Sequence, residues 1–333
     1  MTHRKKFLPS AQTLSFIVLM ALCYLVFGLL RPAYLPWSNI YSMILTASVT
    51  AVLALAMGVV ISAGGFDLSI GHTAGFSALM CGYFIRATDI RSVIPSPWGS
   101  WVCVLLAVLL AVLIGVFNGF VVVKLGINSF IATLSTQFIL QGVRQWITKG
   151  DSYRADTTVK DITQGMVLDH PNLKLVIISV CIVIIVGFIM QKTSFGRKMQ
   201  FVGSNITCSK YAGINIHRYT FLSFVISGFI AGIGGILQFS KLSTATINIG
   251  DGWLFYAMTV AVFSNAIFNR FKMHGIALVT LLITMITTGI NMLGVSSAWT
   301  NFILGFILLL SLIGGKYLHL DNFKKILQKR RAE

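Results

Sequence analysis

The sequence predicts an all-α, polytopic membrane bundle of about ten transmembrane helices. Of the 333 residues, 56% are hydrophobic and only 11% are charged, whereas a soluble domain carries roughly 25% charged residues. Apolar runs of about 20 residues recur along the chain, and a helix of that length crosses a bilayer with its backbone hydrogen bonds satisfied. The alternating segments typical of a β-barrel are not seen. We therefore expect a multi-pass protein embedded in a lipid bilayer.

Ten segments are predicted to span the membrane, the third and fifth being the least regular because they are broken or rich in polar residues. In chain order they are Thr13–Leu30, Asn39–Ser62, Leu68–Ile85, Trp101–Val123, Ser129–Ile147, Leu173–Met190, Tyr219–Phe239, Trp253–Phe268, Gly275–Leu293 and Trp299–Gly315. The predicted organisation is a cytoplasmic segment 1–12, a transmembrane domain 13–315 with a cytoplasmic loop 191–218, and a basic cytoplasmic tail 316–333.

Lysine and arginine fix the expected orientation, because cytoplasmic loops carry an excess of them. With the N-terminus inside, 17 of the 26 basic residues fall in cytoplasmic segments, eight fall in external loops and Arg144 lies in a span. Both termini then face the cytoplasm, as an even number of spans requires. The formal net charge of +17 is explained by this orientation, so no nucleic-acid partner is predicted.

No catalytic chemistry is predicted from the sequence. It contains no G-x-x-x-x-G-K-[ST] loop that could hold the phosphates of ATP. Its six histidines are scattered without metal-ligand spacing, and His72 is best explained by helix packing. The five cysteines offer no disulfide framework in the external loops. We expect no catalytic residue, metal site or cofactor, and therefore no enzyme.

The stretch GGFDLSIG interrupts the apolar sequence between the second and third spans. Gly64 and Gly65 release the backbone from the helix. Asp67, with Ser69 close behind it, is placed to cap the third span by accepting its free N–H groups. A cap at a sharp turn is one interpretation of Asp67. The other is a broken-helix element beside a gate or solute path.

The cytoplasmic loop contains a predicted short helix from Ile206 to Ala212. Asn205 is the expected N-cap, Gly203 and Ser204 form the turn before it, and Gly213 is the left-handed stop. Lys210 in the last turn complements the helix dipole. Together with Arg197 and Lys198, it makes the loop strongly basic. Charge alone leaves open whether this loop is merely solvated or is a docking element.

Polar residues within the spans are mostly uncharged. They are Asn118, Asn128, Thr133, Ser135, Thr136, Gln137, Gln141, Thr284, Thr287, Thr288 and Asn291. Amides and hydroxyls can pass a neutral, sugar-like solute by hydrogen bonds, but they also join helices to one another in membrane bundles. Phe130, beside Asn128 and Ser129, is a candidate for narrowing such a path.

Several motifs, taken together, resemble one family. The loop FGRKMQFVGSNITCSKYAGINIHR, the stretch GGFDLSIG (against that family's GGIDLSVG), Asn118-Gly119, Ile127–Gly150, Ser227–Leu237, Gly250–Gly252 and Asn291–Trp299 occur in the order seen in ribose-type sugar permeases of ABC importers. The resemblance covers about Asn39 to Gly315.

This resemblance implies a subunit of the bacterial inner membrane that moves a sugar or sugar-like polar solute inward. Its implied partners are cytoplasmic ABC ATPase subunits, a second permease subunit in a homodimer or heterodimer, and an extracytoplasmic solute-binding protein. The residues implied for ATPase coupling are Arg197, Lys198, Gly203, Ser204, Asn205, Lys210 and Gly213. Those assigned to translocation or gating are Gly64, Gly65, Asp67, Ser69, Asn118, Phe130, Gln137 and Asn291.

The chain departs from the family pattern at three places. Ile206 and Thr207 stand where the family has two acidic residues, Leu254 and Tyr256 replace a Glu and an Asp, and 264–271 replaces a glycine-rich stretch. A heterodimeric partner that keeps the missing groups would reconcile these losses. The rival functions are an ion-coupled secondary carrier, which normally keeps acidic residues or His inside the bundle, and a degenerate, non-transporting membrane scaffold.

Overall fold

The computed structural model describes residues 11–87, 94, 97–268 and 271–317. Helices dominate these ranges, with one 3₁₀ turn at Pro32–Tyr34 and four two-residue strands. The helices are α1 (Ala11–Leu30), α2 (Trp37–Ser62), α3 (Ile70–Ala87), α4 (Trp98–Val123), α5 (Ser129–Thr148), α6 (Thr157–Thr163), α7 (Leu173–Lys192), α8 (Ser194–Ser204), α9 (Ile206–Tyr211), α10 (Ile216–Leu242), α11 (Trp253–Phe268), α12 (Met273–Met292) and α13 (Ser297–Tyr317). The strands are β1 (Tyr153–Arg154), β2 (Met166–Val167), β3 (His170–Pro171) and β4 (Thr244–Ala245).

Each of the ten predicted spans coincides with a helix, so the prediction of a polytopic helical bundle is confirmed. Within the described ranges, α2, α4, α7, α10 and α12 are long and apolar enough to cross a membrane, and α1, α11 and α13 contain shorter apolar stretches. The third span begins at Ile70, two residues later than predicted. The predicted terminal segments lie largely outside the described residues, as do 269 and 270 of the altered stretch.

The centre of the bundle is α2. Its residues from Ala51 to Val60 are all buried, and it packs against α7, α10, α11 and α12. A helix that is apolar on every side is one enclosed by other helices. α2 is therefore the scaffold around which the remaining spans are arranged.

α4 and α10 form the closest pair in the bundle. α4 presents Ala107, Ala111, Gly115 and Gly119, one small residue every fourth position, and all four are buried. A Cβ atom on Gly115 would lie 2.4 Å from the carbonyl oxygen of Phe224 in α10. Small residues at this spacing let two membrane helices approach backbone to backbone.

The short strands connect loops that the predicted topology places on the external side. β1, which follows α5, pairs antiparallel with β4, which follows α10. Tyr41, near the start of α2, donates a hydrogen bond from its hydroxyl to the Pro171 carbonyl at 2.6 Å. These contacts bring together the loops at one end of the bundle, while α8 and α9 lie at the end of α2 that is opposite Tyr41.

Candidate functional site

The most exposed part of the loop 191–218, which is predicted to be cytoplasmic, is the short helix α9. Asn205 caps it, since its side-chain oxygen accepts the Cys208 N–H at 2.9 Å, and Gly213 ends it with φ of 68°. Ile206 is 62% exposed and Tyr211 is 89% exposed. The predicted cap, helix and left-handed stop are thus all present.

The turn predicted at Gly203 and Ser204 is wrong, because both residues belong to the C-terminal end of α8. α8 is amphipathic and buries Met199 and Val202 against the bundle, while Arg197 and Lys198 stay exposed. Thr193 caps the start of α8 by accepting the Gly196 N–H at 3.2 Å, and packing of Gly203 against Ser62 and Gly64 holds its other end. α8 therefore anchors the exposed α9 to the membrane-spanning helices.

Gly203 joins this anchor to the GGFDLSIG stretch. A Cβ atom on Gly203 would lie 2.3 Å from the carbonyl oxygen of Ser62 and 2.7 Å from the amide nitrogen of Gly64. Gly64 itself has φ of 85°, a backbone conformation that favours glycine. Two residues assigned separately, one to coupling and one to gating, are in direct contact. Gly65 has no such backbone contact, because the atoms nearest a Cβ there belong to side chains.

Asp67 lies in the segment between α2 and α3, and this span boundary is buried inside the bundle. It is 2% exposed, and its Oδ1 accepts hydrogen bonds from the Ser69 N–H at 3.0 Å and the Ser69 hydroxyl at 2.6 Å. Its Oδ2 accepts from the Ser227 hydroxyl of α10 at 3.0 Å. The prediction that Asp67 caps the first turn of α3 needs correction, because the N–H it accepts is that of Ser69, just before Ile70.

A buried hydrogen-bond network extends from Asp67 to the neighbouring helices. Asn118 of α4 donates to the Ser69 hydroxyl oxygen at 2.9 Å and accepts from the Thr136 hydroxyl of α5 at 2.6 Å. Thr133 of α5 accepts the Leu68 N–H at 2.9 Å. The irregular backbone between α2 and α3 is thereby satisfied within the protein, as any non-helical backbone at membrane depth must be. The network ties together α3, α4, α5 and α10.

A second polar cluster surrounds Arg144 of α5. The guanidinium is only 1% exposed, and it forms an ion pair with Asp251 at 3.2 Å. It also contacts His72 Nδ1 at 2.8 Å and donates to the Ile249 carbonyl. Sequence reasoning treated Arg144, His72 and Asp251 separately. The sequence did contain one sign of this cluster: Arg144 is a basic residue inside a predicted span, and such a charge requires a buried partner.

A cavity of about 320 Å³ opens between α2, α10, α11 and α12. Hydroxyl and amide side chains dominate its wall, together with two aromatic rings and one lysine. Its polar and aromatic lining is Thr46, Thr50, Gln238, Lys241, Trp253, Tyr256, Thr284, Thr287, Thr288 and Asn291. Asn291 is the one predicted gating residue found there. Thr46 and Thr50 were not expected, because α2 was predicted as an apolar span. Lys241 was predicted to lie in an external loop, but α10 extends to Leu242 and includes it.

The remaining predicted path residues lie on α5, away from both clusters. Phe130 is exposed beside the Asn128 cap, which accepts its N–H at 2.9 Å. Gln137 is half-buried, and its Oε1 has no hydrogen-bond partner among the described residues. The face of α5 that no other helix covers bears Ser135, Phe138, Gln141, Gly142 and Gln145. The outer part of this face borders a cleft of about 350 Å³ that also contains Asn248 and Asp251.

A bundle of apolar helices with a polar cavity and a capped, exposed short helix is an architecture suited to a membrane transport subunit. Residues 39–312 match the family described as branched-chain amino acid transport system / permease component. The chain belongs to this family and is a multi-pass protein of the bacterial inner membrane. No solved structure matches the chain.

Several of its relatives are sugar import permeases. The ribose import permease protein of Haemophilus influenzae is 27% identical over 91% of this chain and 93% of the relative. The galactose/methyl galactoside import permease protein of Escherichia coli (strain K12) is 24% identical over 88% of this chain and 90% of the relative. The fructose import permease protein of Bifidobacterium longum is 29% identical over 74% of this chain and 69% of the relative.

Proposed function

We propose that this chain is the transmembrane permease subunit of an ABC importer that moves a sugar or sugar-like polar solute inward. ATP is hydrolysed by separate cytoplasmic subunits, and an extracytoplasmic binding protein delivers the solute. The observation that carries the proposal is the direct contact between Gly203 and Gly64. It connects an exposed cytoplasmic helix to the buried polar network within the bundle.

The coupling surface is formed by α9 and the exposed side of α8. It combines the exposed apolar residues Ile206 and Tyr211 with Arg197, Lys198 and Lys210. Exposed aromatic and basic residues on an anchored element are typical of docking sites. No acidic residue occurs between 191 and 218. The loss of acidic residues at Ile206 and Thr207 therefore points to an ATPase with an acidic docking surface.

The open face of α5 supports a second permease subunit. Gln141 and Gln145 are exposed within a predicted span, where contact of amides with lipid would leave their hydrogen bonds unsatisfied. A partner helix or a water-filled path beside α5 removes this penalty. We propose that the subunits of a homodimer or heterodimer meet along α5, with the solute path between them.

The 320 Å³ cavity lies within the range of about 300–1,000 Å³ typical of small-molecule sites. Threonine hydroxyls and amides can exchange hydrogen bonds with the hydroxyl groups of a sugar, and Trp253 and Tyr256 supply flat apolar surfaces. The printed names of the relatives, which refer to ribose, galactose and fructose import, support the same class of solute.

Co-purification of an ATPase tests the proposal without knowledge of the solute. The tagged chain is expressed with the ATPase encoded beside its gene, and we expect the two to co-elute in detergent. Tyr211→Asp should abolish co-elution, because it places a negative charge where Tyr211 docks. Leu168→Asp is the matched control, since Leu168 is also an exposed apolar residue but lies in the opposite loop. Co-elution that survives Tyr211→Asp would contradict the proposed coupling surface.

An ion-coupled carrier is the second candidate, and buried Asp67 is the observation that favours it. A carboxylate without a basic partner inside a bundle is a typical proton or cation site. Uptake in proteoliposomes distinguishes the two functions. Uptake by the importer requires internal ATP and continues when a protonophore collapses the proton gradient. Uptake by the carrier stops when the gradient collapses and does not depend on ATP.

A further inference from the structure

Lys241 places an unbalanced positive charge on the wall of the 320 Å³ cavity. Its ammonium lies 3.4 Å from the Thr46 hydroxyl oxygen and 3.5 Å from the Leu45 carbonyl oxygen. Both atoms belong to the first half of α2, so the Lys241 side chain bridges the gap between α10 and α2 at the wall of the cavity. Thr46 itself lines the cavity.

No carboxylate of the described residues comes within 4.0 Å of this ammonium. The ion pairs in those ranges all involve Asp251, which is shared by Arg144 and His72. Asp251 lines the separate cleft beside α5, not the cavity of Lys241. The other polar groups around Lys241 are hydroxyls and amides, which carry no charge. Among the described residues, Lys241 is therefore the one charged group on the wall of this cavity.

A half-buried ammonium on a cavity wall is stabilised by a partner of opposite sign, and the described residues provide none. We propose that the solute provides it, and that the transported molecule is a polyhydroxylated carboxylate, a sugar acid rather than a neutral sugar. This rests on the proposed importer function and narrows its substrate class. The carboxylate would pair with Lys241, while the hydroxyls would bind the threonines and amides opposite.

A carboxylate fits the single lysine better than a phosphate ester does. A phosphate monoester carries a charge of about −1.5 to −2 at neutral pH, so one ammonium would leave the cavity with excess negative charge. The nearby Gln238 and Asn291 are neutral and do not compensate it. A monovalent anion would neutralise the single positive charge of Lys241.

The test measures ATP-dependent uptake in proteoliposomes that contain the chain, its ATPase and its binding protein. The probes are galacturonate and glucuronate, their neutral parents galactose and glucose, and glucose 6-phosphate. We expect uptake of at least one uronate and no comparable uptake of its neutral parent. Uptake of a neutral hexose in preference to its uronate, or uptake of the phosphate alone, would overturn the inference and leave the importer proposal standing.

Variants at Lys241 localise the effect. Lys241→Gln should raise the KM for the uronate by about tenfold or more, because it removes one partner of a desolvated charge pair, and Lys241→Arg should largely restore it. Lys149→Gln is the control, since Lys149 is an exposed cation in the loop after α5, outside the cavity. An unchanged KM in Lys241→Gln would overturn the inference. Absence of ATP-dependent uptake of any solute would instead defeat the importer proposal on which it rests.

Discussion

Gly64 and Gly203 touch backbone to backbone, at the point where the end of α2 meets the end of α8. A methyl group on Gly203 would overlap the Ser62 carbonyl and the Gly64 amide. The contact has no flexible side chain that could yield. A displacement of α8 towards α2 would therefore push on the segment that leads to Asp67. We propose that this contact couples the docking helix to the membrane-buried network.

Gly203→Ala should impair transport while leaving the binding of the ATPase intact. The added methyl forces α8 away from Gly64, and we expect uptake to fall by about tenfold, in line with the roughly 0.5–2 kcal/mol by which substitutions along a coupling route act. ATPase co-purification should persist, because α9 is unchanged. Gly305→Ala, where a Cβ meets nothing within 4 Å, should behave as wild type. Normal uptake in Gly203→Ala would show that this contact transmits nothing.

Asp67→Ala should destabilise the bundle. It removes the acceptor for Ser69 and Ser227, and each buried donor left unpaired costs about 1–3 kcal/mol. Asp67→Asn keeps the shape and one acceptor oxygen, so its effect should be smaller. Thermal unfolding in detergent measures both. Equal stability of Asp67→Ala and wild type would mean that the hydrogen bonds to Asp67 contribute nothing to stability.

Asp251→Asn should also reduce stability, because it leaves the buried Arg144 guanidinium without a counter-charge. The loss should be about 2 kcal/mol, less than the 3–5 kcal/mol of fully buried pairs, since the Asp251 side chain is 44% exposed. A double-mutant cycle with Arg144→Leu isolates the pair. Additive effects of the two changes on the free energy of unfolding would indicate that the ion pair contributes nothing to stability.

Asn205→Ala should weaken α9 by about 0.5–2 kcal/mol through the loss of its N-cap. Affinity for the ATPase should fall accordingly, and Asn205→Ser should retain most of it. Asn215→Ala is the matched control, because Asn215 caps α10 in the same way at 3.0 Å but lies beyond the docking helix. Equal losses of ATPase affinity in the two alanine variants would point to general destabilisation.

Cys208 allows the predicted orientation to be measured. It is exposed on α9, whereas Cys81 and Cys103 are buried. In a variant that keeps Cys208 alone, a membrane-impermeant maleimide should label inverted vesicles and leave intact cells unlabelled. Lys149→Cys in a background without other cysteines should give the reverse pattern. Labelling of Cys208 from outside the cell would show that the topology is the reverse of the predicted one.

The helical spans were predictable because apolar length is a local property of the sequence. The cap at Asn205 and the stop at Gly213 were predictable for the same reason, since capping involves residues three or four positions apart. The extent of α8 was missed, because its burial depends on contact with α2 and α10. Propensity around Gly203 favoured a turn, and packing against Gly64 overrode it.

Contacts between distant segments could not be read from the sequence. Asp67 was predicted to lie at a sharp turn because Gly64 and Gly65 interrupt the apolar sequence, but nothing local shows that this segment makes hydrogen bonds to α4, α5 and α10. Arg144 and Asp251 are 107 positions apart in the sequence, and no local pattern indicates that they pair. The cavity around Lys241 likewise combines four helices whose individual sequences show only scattered threonines.

The antiparallel pairing of Tyr153–Arg154 with Thr244–Ala245 fastens the outer ends of α5 and α10 to each other. α5 borders the cleft of Asp251, and α10 carries Lys241 on the wall of the 320 Å³ cavity. The strand pair therefore ties one wall of the cleft to one wall of the cavity, and a movement of α5 relative to α10 would have to carry or break its hydrogen bonds.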